Sequence, residues 1–96
     1  MKRYEIMYIV RPNLEEEARK ELIAKFNKVL TDLKSEEVKV DEWGLRDLAY
    51  EIADYKKGYY VVLDVNAPVE AISELDRVMK IDENIIRHIV ISRDEK

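Results

Sequence analysis

Glu37–Val65, EVKVDEWGLRDLAYEIADYKKGYYVVLDV, is the stretch that decides how this chain folds. Val38 and Val40 alternate with charged residues and lead to Trp43, the pattern of a half-buried strand. Beyond Gly44 the run Leu45–Ile52 keeps strand character, so the two halves read as one long strand interrupted at that glycine. The polar segment Ala53–Gly58 has the length and the terminal glycine of a hairpin connection, and Tyr59–Val65 follows as another strand. Its odd positions, Tyr59, Val61, Leu63 and Val65, are the more apolar set and belong against a core, which leaves Tyr60 and Val62 facing outward.

What flanks this hairpin fixes the architecture. On its N-terminal side Leu14, Ala18, Leu22, Phe26, Val29, Leu30 and Leu33 recur at helical spacing, with Ile23 widening the stripe and Lys20, Lys25, Lys28 and Asp32 opposite. Asn13 reads as the N-cap of that helix with Glu16 as its capping-box partner, and Glu15–Glu17 set negative charge at the positive end of the dipole. Before it, Arg3–Arg11 (RYEIMYIVR) is a strand that Pro12-Asn13 ends. On the C-terminal side Pro68 suits a first helical turn, and Val69, Ile72, Leu75, Val78 and Met79 form a second amphipathic stripe ending near Ile81. Asp82-Glu83-Asn84 is a turn, Ile85–Arg93 (IIRHIVISR) a last strand, and Asp94–Lys96 a frayed end.

The order strand, helix, strand, strand, helix, strand is the split βαβ unit. It predicts an α+β, ferredoxin-like fold (βαββαβ): a four-stranded antiparallel sheet with both helices on one face and the other face open. With 96 residues, 47% of them hydrophobic, and neither repeat nor linker, residues 1–96 are expected to form one domain.

Catalysis finds little support. Cysteine is absent and His88 is the only histidine, which excludes disulfides, thiolate metal sites and multi-histidine sites; His88 in its apolar strand reads as structural. Gly44 and Gly58 are too far apart for a phosphate-cradling loop. Acyl-phosphate hydrolysis occurs on this fold, and Arg11 and Asn13 follow the first strand where an anion site forms, but Glu15–Glu17 would repel the substrate. The expectation is a protein that is not an enzyme, with no metal, no cofactor and no small-molecule substrate. No signal peptide or long apolar run is present, so no membrane association is expected and a cytoplasmic setting fits best.

Seventeen basic against 21 acidic residues give a net charge of −4, so any nucleic-acid contact must be a local patch. The RNA-recognition motif has the same element order, and Lys57-Gly58-Tyr59 begins like its strand-three signature. Tyr60 then replaces the expected small residue, and the parity of the strand turns Tyr59 toward the helices. A stand-alone single-strand RNA binder of that kind is therefore an alternative only, as is an engineered scaffold of this fold with little binding activity.

A more specific likeness lies in Gly44-Leu45-Arg46-Asp47-Leu48-Ala49-Tyr50-Glu51-Ile52. It resembles the signature of the bacterial small-subunit ribosomal protein S-six family: glycine, any, basic, polar, leucine, alanine, tyrosine, any, isoleucine. Arg3–Met7 through Arg11–Asn13 resembles the family's first strand and Ile85–Val90 its last, so the likeness spans essentially the whole chain. The resemblance implies a ribosome-associated structural constituent of the small subunit that binds small-subunit ribosomal RNA together with a basic partner, ribosomal protein S-eighteen. The isolated chain would then be a monomer, and RNA binding a property of the pair.

The basic residues placed to form an RNA-binding patch are Lys2 and Arg3 on the first strand, Arg46 in the signature segment, and Arg87 and Arg93 on the last strand. Arg3, Arg87 and Arg93 share odd parity, which puts them on the open face if no bulge intervenes. Tyr50 is expected to pack its ring beneath the hairpin, and Asp47 to weaken any phosphate contact of Arg46.

Overall fold

The computed structural model describes residues 2–93; the frayed end expected over Asp94–Lys96 lies outside them. In chain order the elements are β1 (Lys2–Val10), α1 (Glu16–Asp32), β2 (Glu36–Ile52), β3 (Tyr55–Ala67), α2 (Val69–Ile81) and β4 (Ile85–Arg93). The sheet has the order β2-β3-β1-β4, and every neighbouring pair is antiparallel. The α+β, ferredoxin-like arrangement expected from the hairpin and its flanking helices is the one found.

Strand alternation sorts the side chains. Tyr4, Ile6, Tyr8 and Val10 of β1 and Val61, Leu63, Val65 and Ala67 of β3 are buried on the helix side, as the odd-position pattern of β3 required. Leu22, Ile23, Phe26 and Leu30 from α1, with Ala71, Ile72, Leu75, Val78 and Met79 from α2, close the core over them. At its centre Tyr8 meets Phe26 edge to face, with ring centroids 5.3 Å apart and planes at 83°. Each such fully buried large side chain stabilises the fold by roughly 1.5–3 kcal/mol.

Three local features differ from the sequence expectation. Helix α1 starts at Glu16 with Glu15 at the cap and no side-chain cap bond. Asn13 lies two residues before that cap, and its amide oxygen accepts from Arg11 Nη1 at 2.9 Å. The hairpin turn is only Ala53-Asp54, both at positive φ (50° and 68°), so β3 begins at Tyr55 and Gly58 lies inside the strand rather than in the connection. Both central residues at φ > 0 match the twist of the flanking strands, a geometry this dipeptide does not advertise.

The glycine interruption in β2 is a bulge. Glu42 pairs with Val61 and Gly44 with Tyr60, so Trp43 is an extra residue, and Gly44 takes φ +87°, where a side chain is strained. A second irregularity lies between Glu36 and Lys39, with Glu37 at φ +52°. A third lies inside the signature segment, where pairing passes from Asp47–Lys57 directly to Ile52–Tyr55, so residues 48–51 leave the regular ladder.

Candidate nucleic-acid interface

The face of the sheet away from the helices is built in rows set by the strand register. Arg93, Arg3 and Asn66 form one row; Ile91, Glu5, Asp64 and Lys39 the next; Ile89, Met7, Val62 and Asp41 a third; Arg87, Ile9, Tyr60 and Gly44 the fourth. The register shift on β4 falls beyond Arg87, so Arg3, Arg87 and Arg93 do share this face. Four rows at about 3.3 Å per residue, two residues per step, put Arg93 and Arg87 about 20 Å apart.

The two ends differ in electrostatics. Arg3 Nε lies 3.0 Å from Asp64 Oδ1 and its Nη1 3.8 Å from Glu37 Oε2, while Arg93 Nη1 is 3.4 Å from Glu5 Oε2. The protein's own carboxylates thus compensate the cationic charge of this end. Glu5 has the odd parity of Arg3 and Asp64 the outward-facing even parity of β3, so both could have been read from the alternation; Glu37 could not, because it sits at the irregularity in β2. Lys2 pairs with Ala67 and lies beside Tyr4, Pro68 and Val69, on the helix side and apart from the other four candidates.

At the opposite end the arginines have neutral partners. Arg87 Nη1 donates to the Tyr50 hydroxyl oxygen at 2.7 Å, and Arg46 stands over the Trp43 ring with its Cζ 5.2 Å from the centroid. Trp43 stacks on Tyr60 at 6.4 Å with the planes 10° apart. Among the described residues neither Arg46 nor Arg87 has a carboxylate partner. Asp47 does not face Arg46: it pairs with Lys57 across the hairpin, 3.8 Å between Oδ1 and Nζ, because adjacent strand residues point to opposite sides.

This face is not open along its whole length. The distal part of β2, bent at Trp43-Gly44, brings Leu48, Ala49 and Ile52 against Met7, Ile9, Tyr60 and Ile89. Ile9 is 7% exposed although it points away from the helices and stands outside the main core cluster. Gly58 is required beneath the fold-back, since a Cβ there would overlap Ile9 Cγ2. Tyr50, expected to pack its ring under the hairpin, is instead 62% exposed, with its hydroxyl accepting from Arg87. Tyr50 lies in the irregular stretch between Asp47 and Ile52, where the ladder register breaks, so simple alternation does not place it.

Residues weighed for chemistry have structural partners. His88 Nε2 lies 2.6 Å from Asp76 Oδ1, joining β4 to α2, and Lys80 Nζ is 3.2 Å from the other carboxylate oxygen. The hydrogen bond from His88 is the main reason the Asp76 carboxyl is held below its ordinary range, with Lys80 adding to it. Arg11 donates from Nε to Asn84 Oδ1 at 2.7 Å and from Nη1 to Asn13, so its fork is spent on tying the end of β1 to the α2–β4 turn. Tyr59 faces the helices, under the Arg19 guanidinium at 3.9 Å and with its hydroxyl donating to Glu42 Oε1 at 2.7 Å. It is not on the face where an RNA-recognition motif stacks its bases.

Comparison with known proteins adds to this geometry. The profile of a family described as Ribosomal protein S6 matches residues 3–92. The small ribosomal subunit protein bS6 of Shouchella clausii is 55% identical over 96 residues, covering 100% of both chains. The crystal structure of 30S ribosomal protein S6 from Thermotoga maritima superimposes with a TM-score of 0.90 at 31% identity, over 96% of this chain and 87% of that one. A protein from Arabidopsis thaliana matches with a TM-score of 0.65 at 12% identity, over 100% of this chain and 96% of that one, a likeness of fold alone.

Proposed function

Because the chain belongs to the ribosomal protein S6 family, whose members are structural proteins of the small ribosomal subunit rather than enzymes, we propose that it binds small-subunit ribosomal RNA jointly with the basic ribosomal protein S-eighteen. The observation that carries this reading is the uneven compensation of charge on the sheet. Arg3 and Arg93 are held by Glu5, Glu37 and Asp64, while Arg46 and Arg87 beside the signature segment are free to meet phosphate. Two uncompensated guanidiniums on a protein of net charge −4 give a foothold but not a grip. Phosphate contacts dominate affinity, so a basic partner must supply most of the neutralisation. Such a role places the protein on the ribosome in the cytoplasm.

The test is co-assembly on a fragment of small-subunit RNA, with and without the partner. Binding of the pair is expected to be markedly tighter than of either protein alone, and binding no tighter than the partner's own would refute the reading. Arg87→Ala in the ternary complex is expected to lower affinity across sequences and to flatten the salt dependence by about one unit of slope. Arg3→Ala, whose charge is already compensated, is expected to change the slope by less.

A further inference from the structure

The signature segment encloses a site of which the proposed role uses only Arg87. Between its fold-back and the sheet lies a cleft of about 220 Å³, floored by Met7, Ile9, Tyr60 and Ile89 and walled by Leu48, Ala49 and Ile52, with Tyr50 and Arg87 completing it. Its surface is mainly apolar, and its polar groups converge at one point where Arg87 and Tyr50 meet. Apolar cavities of about 150 Å³ hold a benzene ring, so this cleft has room for one flat ring system and not for a folded element.

We infer that the cleft receives a single unstacked base of the bound RNA, with the neighbouring phosphate on the Arg87 guanidinium. The inference rests on the RNA-binding role proposed above and assigns one contact within it. The argument is complementarity. An aromatic base has an apolar face that suits the methyl and thioether floor, and the exposed Tyr50 ring offers it a stacking partner. Only one of the five N–H groups of Arg87 is engaged, by Tyr50, and none by a carboxylate among the described residues, which leaves a fork aimed at an anion. A side chain of a basic protein partner would fill the apolar part but would leave this cation facing like charge. A phosphodiester satisfies both halves at once.

Methyl NMR of the full chain, labelled at the methionine methyl carbons and assembled with S-eighteen on the RNA fragment, reads the cleft directly. Met7 lies in the floor and Met79, 1% exposed in the core, serves as an internal reference. Adding RNA to the protein pair is expected to shift the Met7 methyl through the ring current of the base and to leave Met79 in place. Ala49→Leu, at an exposed position and so compatible with folding, fills the cleft; it is expected to abolish the Met7 shift and weaken the ternary complex roughly tenfold. Arg87→Lys keeps the charge but loses the fork, and is expected to retain the salt slope while the Met7 shift diminishes. A Met7 shift on adding S-eighteen alone, with no further change on adding RNA, would overturn the inference in favour of a protein anchor. Intact co-assembly with Met7 unmoved by either would overturn it while leaving the proposed function standing. Failure of the pair to assemble would refute both.

Discussion

Replacing Gly58 with alanine is expected to destabilise the protein by about 1–2 kcal/mol, although glycine is normally a poor strand residue. The backbone at Gly58 is not in the positive-φ region, so alanine would be conformationally welcome and by itself stabilise the strand by roughly 0.5–1 kcal/mol. Against this, the added Cβ would overlap Cγ2 of Ile9 and come within 3.6 Å of Leu48 Cδ2. Cγ2 hangs directly on a β-branched Cβ whose χ1 has few alternatives, and Ile9 is hemmed in at 7% exposure, so the methyl cannot swing aside. Overpacking of this kind costs about 1–3 kcal/mol, which exceeds the propensity gain. Urea unfolding should show a lower midpoint at unchanged m, and a fall in Tm of about 4–8 °C per kcal/mol. A double-mutant cycle isolates the cause. Ile9→Ala removes Cγ2 and should recover at least about 1 kcal/mol of the Gly58→Ala loss as coupling, whereas Ile9→Val keeps Cγ2 and should recover almost none. A neutral Gly58→Ala, or equal rescue by both Ile9 variants, would show that the hairpin does not press on β1 here.

Other expectations follow from named contacts. Asp76, held below the ordinary carboxylate range by His88 and Lys80, binds protons less readily folded than unfolded; its contribution is present above that range and is lost as pH falls through the folded value. Asp76→Asn should therefore flatten the decline of urea stability as pH falls below the ordinary carboxylate range, and a variant with the wild-type decline would refute the pairing. Among the described residues the buried Tyr8 hydroxyl has no hydrogen-bond partner, and burial pushes its phenol well up; Tyr8→Phe should leave stability unchanged or raise it by up to about 1 kcal/mol in the same melts. Gly44→Ala, at φ +87° with open space around its Cβ, should cost about 1–2 kcal/mol from backbone strain alone, so Gly44→Asn should cost less.

The core and topology were legible because they depend on two periodicities that local sequence carries. The stripe from Leu22 to Leu30 and the odd positions of β3 each name their buried side without knowing the rest of the molecule, and the helix-free hairpin between the stripes leaves few topologies. What was not legible involves one residue too many or a partner far away in sequence. Trp43 is a bulge residue and Tyr50 lies in another break of register between Asp47 and Ile52, and no alternation rule foretells either. Asn13 has the chemistry of a cap, but the helix starts two residues too late for it and its amide meets Arg11 instead. The arginines were found by type and parity, yet only cross-strand register shows Arg3 and Arg93 facing carboxylates while Arg87 faces a tyrosine. Composition records charge; it does not record which charges are already compensated.

The central position of β1 also bears on the order in which the molecule is made. Of the four strands this one is made before the others, yet both of its neighbours come later: β3 pairs Val10 with Tyr59, and β4 pairs Arg3 with Arg93. Loop closure over such separations must be met before any ladder bond rewards it, so the sheet forms slowly compared with a chain of local contacts. Until the last strand is released, β1 has an uncovered edge and an apolar flank that includes Met7 and Ile9. The β2–β3 hairpin, joined by two residues, can assemble early and wait. Folding of this chain is thus a late event, completed when its C-terminal strand reaches the first one made.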